Sequence, residues 1–297
     1  MMSRESRQLA RSETVDTRVR AGEEPVTETL AAALAYARER DYIGWDYVDG
    51  MSSRLLQTVP VDNRWLNLAV QESIKRAPIN IRPLFLVEQR RNFKGAALFA
   101  MANLTADRIL GDDRDSAWDD VEYRDEGLEL LDWLIDNRST GFSGFCGGHN
   151  HVIQGLNHQG PINDPDLTST ADAVRALLRG ASFDERYAEM ARTAVAWALE
   201  DMDYREVDGG AQITYFPKHP DDVYTLNAGA MAARMFFDLY EYFGDDHLRG
   251  YGEALLSYIA DQQTPEGGWY YRVPADTSHL SMDNHHNGFI IEAFQHH

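Results

Sequence analysis

Lysine is nearly absent from this chain. Of 28 basic residues in 297, only Lys75, Lys94 and Lys218 are lysines, and the remaining 25 are arginines. Cysteine is rarer still: Cys146 stands alone, which excludes an internal disulfide framework. Long apolar runs are missing too. The longest, Gly95 to Leu104, falls far short of the roughly 20 residues that a membrane-spanning helix needs, so no membrane span is expected. The first 25 residues hold no apolar stretch of the kind a secretory signal carries, and a cytoplasmic location is the expectation. Positive charge is also in deficit, with 48 acids leaving a formal net charge of −20. So acidic a surface repels nucleic acid and anionic membrane, which excludes both as bulk partners.

What remains is 43% hydrophobic and 11% aromatic, enough for a sizeable core. Residues 1–25 read as a disordered polar tail, and 26–297 as one domain. Helical periodicity dominates that domain. Phe183, Tyr187, Met190, Ala191, Ala194, Val195, Ala198 and Met202 fall on one helical face, behind a capping-box pattern at Ser182 and Glu185. Similar patterns predict helices near 27–40, 63–77, 93–110, 119–137, 169–180, 184–203, 225–243, 246–262 and from 284 onward. Gly111, Gly180 and Gly244 stand where helices should end. Strand signals are confined to 211–216 and 268–273, which suits loop hairpins rather than a sheet.

Helices come in pairs, and their connectors repeat. GFSGFCGGHNH, DGGAQITYF and EGGWYYRV each follow a helix, and each leads to a helix that opens with small residues (TADAVRALL, LNAGAMAARM, HNGFIIEAF). Gly209 to Gly267 spans 58 residues and Asp184 to Asp245 spans 61, a period that means an array of αα-hairpins. Small residues suit the crowded inside of a ring. The fold class expected is therefore all-α, a toroid of helical hairpins whose connectors converge at one mouth. The helix count falls short of six hairpins. The expectation is a gene product truncated at its C-terminus or a ring that stays open.

Three resemblances follow from these residues. The acid-rich, lysine-poor composition resembles that of proteins from salt-loving archaea, which implies folding favoured by molar salt, where the Debye length falls to about 3 Å. Gln263, Gly267 and Trp269 match the Q-x3-G-x-W pattern of squalene-cyclase-like α/α toroids, where the motif closes a helix end. It implies fold rather than chemistry. Terpene cyclisation needs an aspartate-rich magnesium site or a DxDD acid, and GDDRDS at 111–116 is neither. Lastly, DYIGWDYVDGMSSRLL (41–56), KRAPINIRPLF (75–85), NFKGAALFAMANL (92–104), GFSGFCGGHN (141–150), VYTLNAGAMAARM (223–235), GGWYYRV (267–273) and MDNHHNGFIIEAF (282–294) together resemble a family of uncharacterised prokaryotic proteins with a six-hairpin-glycosidase-like fold, often found beside surface-polysaccharide genes. That resemblance implies a carbohydrate-active protein linked to cell-surface polysaccharide metabolism. Family members continue past the last motif by several helices.

Glycan chemistry then sets what to look for. Hydrolysis requires two carboxyl groups flanking a sugar. The motif segments offer Asp46, Asp49, Asp222 and Asp283, with Asp46 and Asp283 the first pair to mutate. Asp49 precedes Gly50 and reads equally as a turn residue, and Asp283 as a helix N-cap. Uronide elimination or epimerisation instead needs a Tyr or His to take a proton and an Asn, His or Arg to neutralise the carboxylate. His149, Tyr215 and His285 are the candidates, in a segment whose glycines would let backbone approach a ligand closely. Trp45, Trp269 and Tyr271 could stack on sugar faces, and Asn150, His151, Asn227 and Asn284 could orient polar groups. Arg82, Arg90, Arg91 and Lys94 could receive an anionic group or form an ordinary basic face. Cys146, His149 and His151 have the spacing C-x2-H-x-H, but zinc sites usually add a second spaced pair, and no metal or cofactor is expected. The expected partner is a glycan or other small-molecule substrate. The alternative is a non-catalytic glycan-binding or assembly protein.

Overall fold

The computed structural model describes residues 26–58, 63–110, 122–154, 159–217, 223–278 and 280–296. The expected tail, the GDDRDS turn, Gly111, Lys218 and Asp222 lie outside them. The helices are α1 (Val26–Arg38), a short α2 (Arg54–Thr58), α3 (Arg64–Arg76), α4 (Phe93–Leu110), α5 (Tyr123–Asp136), α6 (Leu167–Gly180), α7 (Glu185–Glu200), α8 (Leu226–Phe243), α9 (Asp246–Asp261) and α10 (Asn284–His296). They match the periodicity closely because most begin at a side-chain cap. Asn63, Asp166, Asp184, Asp245 and Asp283 each accept a backbone N–H of the first turn behind them. The capping box expected at Ser182 is displaced. Asp184, two residues on, is the cap of α7, because its carboxylate accepts the Arg186 N–H at 3.0 Å while the Ser182 hydroxyl turns back to Arg179 O. At the other end of the scale, Gly244 closes α8 at φ +68, its N–H on Tyr240 O at 2.7 Å.

Helices α4, α6, α8 and α10 stand side by side, and α5, α7 and α9 pack outside them. Small residues decide which helix goes inside. In α8 every residue from Leu226 to Ala233 is buried, so the helix meets neighbours all round, and only Ala and Gly allow that closeness. The outer α7 buries one face only, along Tyr187, Ala188, Ala191, Ala194, Trp197 and Ala198. One hydrophobic core runs from Phe93 through Leu131, Leu177, Trp197 and Phe236 to Ile290. Leu34 of α1 joins Ala106 and Tyr123 in a smaller cluster beside it. This is an all-α toroid of helical hairpins, as the pairing of helices leads one to expect.

Four antiparallel two-stranded ladders tie the connectors together. They are β1 (Gly148–His149) with β4 (Asp164–Pro165), β2 (Ile153–Gln154) with β3 (Gln159–Gly160), β5 (Arg205–Val207) with β6 (Gly210–Gln212), and β7 (Tyr224–Thr225) with β8 (Arg272–Val273). Backbone bonds then lace each inner helix to the following connector. The first N–H of α6, on Leu167, donates to Tyr215 O at 3.1 Å, and the first N–H of α8, on Leu226, donates to Tyr271 O at 3.2 Å. Asn150 does the same for α4 with its side chain, which donates to Arg91 O. Three connectors thus present His149, Tyr215 and Tyr271 around the N-terminal ends of the inner helices.

The glycines of the first connector do not receive a ligand. A Cβ on Gly144 would sit 1.8 Å from Thr193 O, one on Gly147 2.2 Å from the Phe93 ring, and one on Gly148 1.9 Å from Asp164 O. The close approach they permit is to the protein's own chain.

Candidate functional site

Asp46 reaches the mouth through long-range ties that sequence spacing does not reveal. Gly44 bridges Arg90, Arg82 donates to Asp46 O at 3.0 Å, and the Asn92 amide donates to the Asp46 carboxylate. Asn92 also caps α4, accepting Gly95 N–H at 2.8 Å, so a helix start holds the carboxylate in place. Across from it, Nδ1 of His149 lies 3.6 Å from Asp46 Oδ2, and the His151 ring packs edge-on to His149 with centroids 5.4 Å apart. Burial disfavours the Asp46 charge, but the adjacent His149 imidazole, aided by His151 and the Val48 N–H, outweighs it and holds the carboxyl well below the carboxylate range. His149 is shifted up: burial works against its cation, and Asp46 and Asp166 together overcome that. Burial pushes His151 down to about 4.

Asp166, the cap of α6, is fully buried, and it accepts Thr168 Oγ1 at 2.7 Å, Ser169 N at 2.8 Å and Ser169 Oγ at 2.6 Å. Its charge acts on His149, on Tyr215 and on Tyr271. Tyr215 OH lies 3.4 Å from Thr168 Oγ1. Burial and then Asp166 push this phenol well above 10, so it holds its proton and is a donor. Tyr271 is raised for the same leading reason, against the pull of Arg272.

On the far side, Asp283 accepts the His286 N–H at 2.9 Å and faces His286 Nδ1 at 2.7 Å. The His286 ring packs 4.5 Å from the Tyr271 ring. His286 therefore replaces His285 as the imidazole of this side. His285 is exposed and packs edge-on to Phe289 at 5.1 Å. Lys94 closes the circle. It pairs with Asp172 at 3.3 Å, lies 5.6 Å from the Phe289 ring, and its charge reaches His149. Asp172, which spacing did not single out, has its carboxyl raised by burial against Lys94 and nearby arginines.

Other expectations are corrected. Trp269 is 6% exposed, its Nε1 donates to Ile259 O at 2.8 Å and its ring stacks on Phe294, so it packs the core rather than a sugar. Asn227 is buried on α8 and Asn284 is exposed at the start of α10. Cys146 does not join the histidines. It is buried in the core, and burial pushes its thiol up to about 12. The basic run is consumed by partners: Arg82 by Asp49, Arg90 by Glu88 and Arg91 by Asp41. Trp45 is 39% exposed and anchored by its Nε1 on Val87 O at 3.3 Å. It lines a cleft of about 250 Å³ with Tyr36, Asp46, Arg90, Asn150 and His151.

No family model and no curated protein matches the chain. Solved structures do. An unsaturated glucuronyl hydrolase from Streptococcus agalactiae superposes with a TM-score of 0.51 at 12% identity, over 91% of this chain and 74% of that one. A sugar epimerase from a ruminal bacterium gives 0.49 at 13%, over 84% and 69%. A GH76 α-mannanase from Bacteroides thetaiotaomicron gives 0.46 at 12%, over 69% and 51%. The chain spans about half the length of the GH76 enzymes it matches. At such identities the likeness is one of fold, the six-hairpin glycosidase-like α/α toroid.

Proposed function

We propose that this protein is a carbohydrate-active enzyme that moves a proton at a carbon of an acidic sugar, as a uronide lyase or epimerase does, in polysaccharide metabolism at the cell surface. The observation that carries the reading is the Asp283–His286 pair, 2.7 Å apart, with the His286 ring packed against that of Tyr271. A carboxylate on Nδ1 fixes the imidazole tautomer and leaves Nε2 as the proton acceptor. His286 Nε2 takes the proton α to the sugar carboxylate as that C–H bond breaks. Tyr215, still protonated, gives its proton to the leaving oxygen in elimination, or to the opposite face of the carbon in epimerisation. His149, whose pKa is raised, offers an imidazole N–H to the sugar carboxylate, and Trp45 offers its ring to an apolar sugar face.

One feature weighs against simple hydrolysis. Asp46 and Asp283 are both held ionised by histidines, so neither supplies the protonated carboxyl that a hydrolase needs. Hydrolysis remains the second reading because Asp172 is a carboxyl with a raised pKa. Acidic oligosaccharides incubated with the protein in D2O separate the two. Deuterium at the sugar carbon, or the absorbance of an unsaturated uronide, supports proton transfer at carbon. New reducing ends with neither signal support Asp172 and hydrolysis. Saturable binding with no product means a binding protein.

A further inference from the structure

We propose that Asp46, His149 and His151 form a binding site for one divalent transition-metal ion, best matched by zinc. Each offers one ligand atom, and the three atoms lie within 4.8 Å of one another. Two imidazoles and one carboxylate are a donor set that zinc accepts, with a fourth position left for substrate or water. Donors around a tetrahedral ion with bonds of about 2.0 Å stand about 3.3 Å apart. Asp46 and His149 are already 3.6 Å apart, so small side-chain rotations complete the set.

An independent observation points to a ligand. His151 is 2% exposed, and its Nε2 has no hydrogen-bond partner among the described residues. A buried nitrogen left unmet is destabilising, and a bound cation would satisfy it. The local fold also suits an ion. His149 closes β1 and His151 lies in the bend just after it, their rings edge to edge with centroids 5.4 Å apart, whereas Cys146 is buried in the core. Asn92, from the cap of α4, donates to Asp46 Oδ2, the oxygen that faces His149, and so fixes the carboxylate as metal ligands are usually fixed. The charges facing the cluster are mixed: Lys94 and Arg90 oppose a cation, and buried Asp166 favours it. Asp46 and His151 also line the cleft, which gives the ion an entry path and the open position an outlet. That the ion would there meet the carboxylate of an acidic sugar rests on the function proposed above; its binding does not.

The test is titration of the full chain, after chelator treatment and dialysis, with Zn2+ in a calorimeter. One ion per chain is expected, with affinity reduced about 10- to 100-fold or more in Asp46→Asn, His149→Gln and His151→Gln. His247→Gln, exposed at the start of the outer helix α9, should bind as the parent does. If His151→Gln fails to fold, His149→Gln, whose side chain is partly exposed, decides. No heat and no retained zinc, or binding unchanged in the ligand variants, overturns the site. Carbon–hydrogen exchange by protein that binds no zinc would remove the ion and leave the reaction standing. Zinc binding without exchange on any acidic sugar would do the reverse.

Discussion

Asp283 does two things to one residue: Oδ1 accepts the backbone N–H of His286 at 2.9 Å, and Oδ2 faces the Nδ1 of the same residue at 2.7 Å. The helix start and the imidazole are positioned by a single carboxylate. Asparagine caps helices about as well as aspartate but has no charge for the ring. Asp283→Asn should therefore melt within about 1 kcal/mol of the parent and lose proton transfer by about 10²- to 10⁴-fold. Thermal melts beside deuterium exchange on an acidic sugar check it, and a variant of full activity would remove His286 from the mechanism.

The two mouth-side tryptophans should behave oppositely. Trp269→Ala empties a core position and should cost about 3–5 kcal/mol in denaturant unfolding. Trp45→Ala gives up one hydrogen bond to Val87 O, about 1 kcal/mol. Its expected effect is several-fold weaker sugar binding with KM rising more than kcat falls.

Glycines separate in the same way. Gly144→Ala drives a methyl into Thr193 O and should destabilise by more than about 3 kcal/mol or prevent folding. Gly250→Ala lies in open space inside α9 and should stabilise by about 0.5–1 kcal/mol. Urea midpoints of both variants measure the difference.

His296, at the end of α10, is bonded to Asp238 of α8 at 2.8 Å, and that bond raises its pKa above 6.5 despite some burial and the opposing charge of Arg234. Since the folded value is the higher one, the pair's stabilisation is complete below about pH 6.5 and disappears as pH rises through the folded value. Denaturation midpoints of the parent and of His296→Gln should differ at pH 6 and converge in mildly alkaline buffer. A constant gap across that range would contradict the pairing.

Much of this was legible in the residues. The helices followed from apolar spacing and from Asp and Asn caps, signals that are local and need no tertiary knowledge. The toroid followed from small residues on alternate helices. Asp46, His149, Tyr215, Tyr271 and Asp283, which the proposed function uses, are candidates that the sequence also offers. His286 was missed in favour of His285, although capping geometry carries the signal: an N-cap side chain meets the third residue of its helix, which here is His286. The C-x2-H-x-H spacing of Cys146 carries no metal expectation, and the residue is buried in the core. Asp166 and Asp172 were out of reach, and Lys94 stood out only as one of a basic run. Their meaning comes from the ring that brings helices far apart in sequence to one mouth, and no short-range pattern records that.

The lacing of Leu167 to Tyr215 and of Leu226 to Tyr271 has an architectural consequence. Helices α6 and α8 are each fastened by the connector of the hairpin after them, so neither hairpin owns its share of the mouth outright. Deleting or transplanting a later module would unseat groups supplied by an earlier one, and an engineered version must exchange neighbouring modules together.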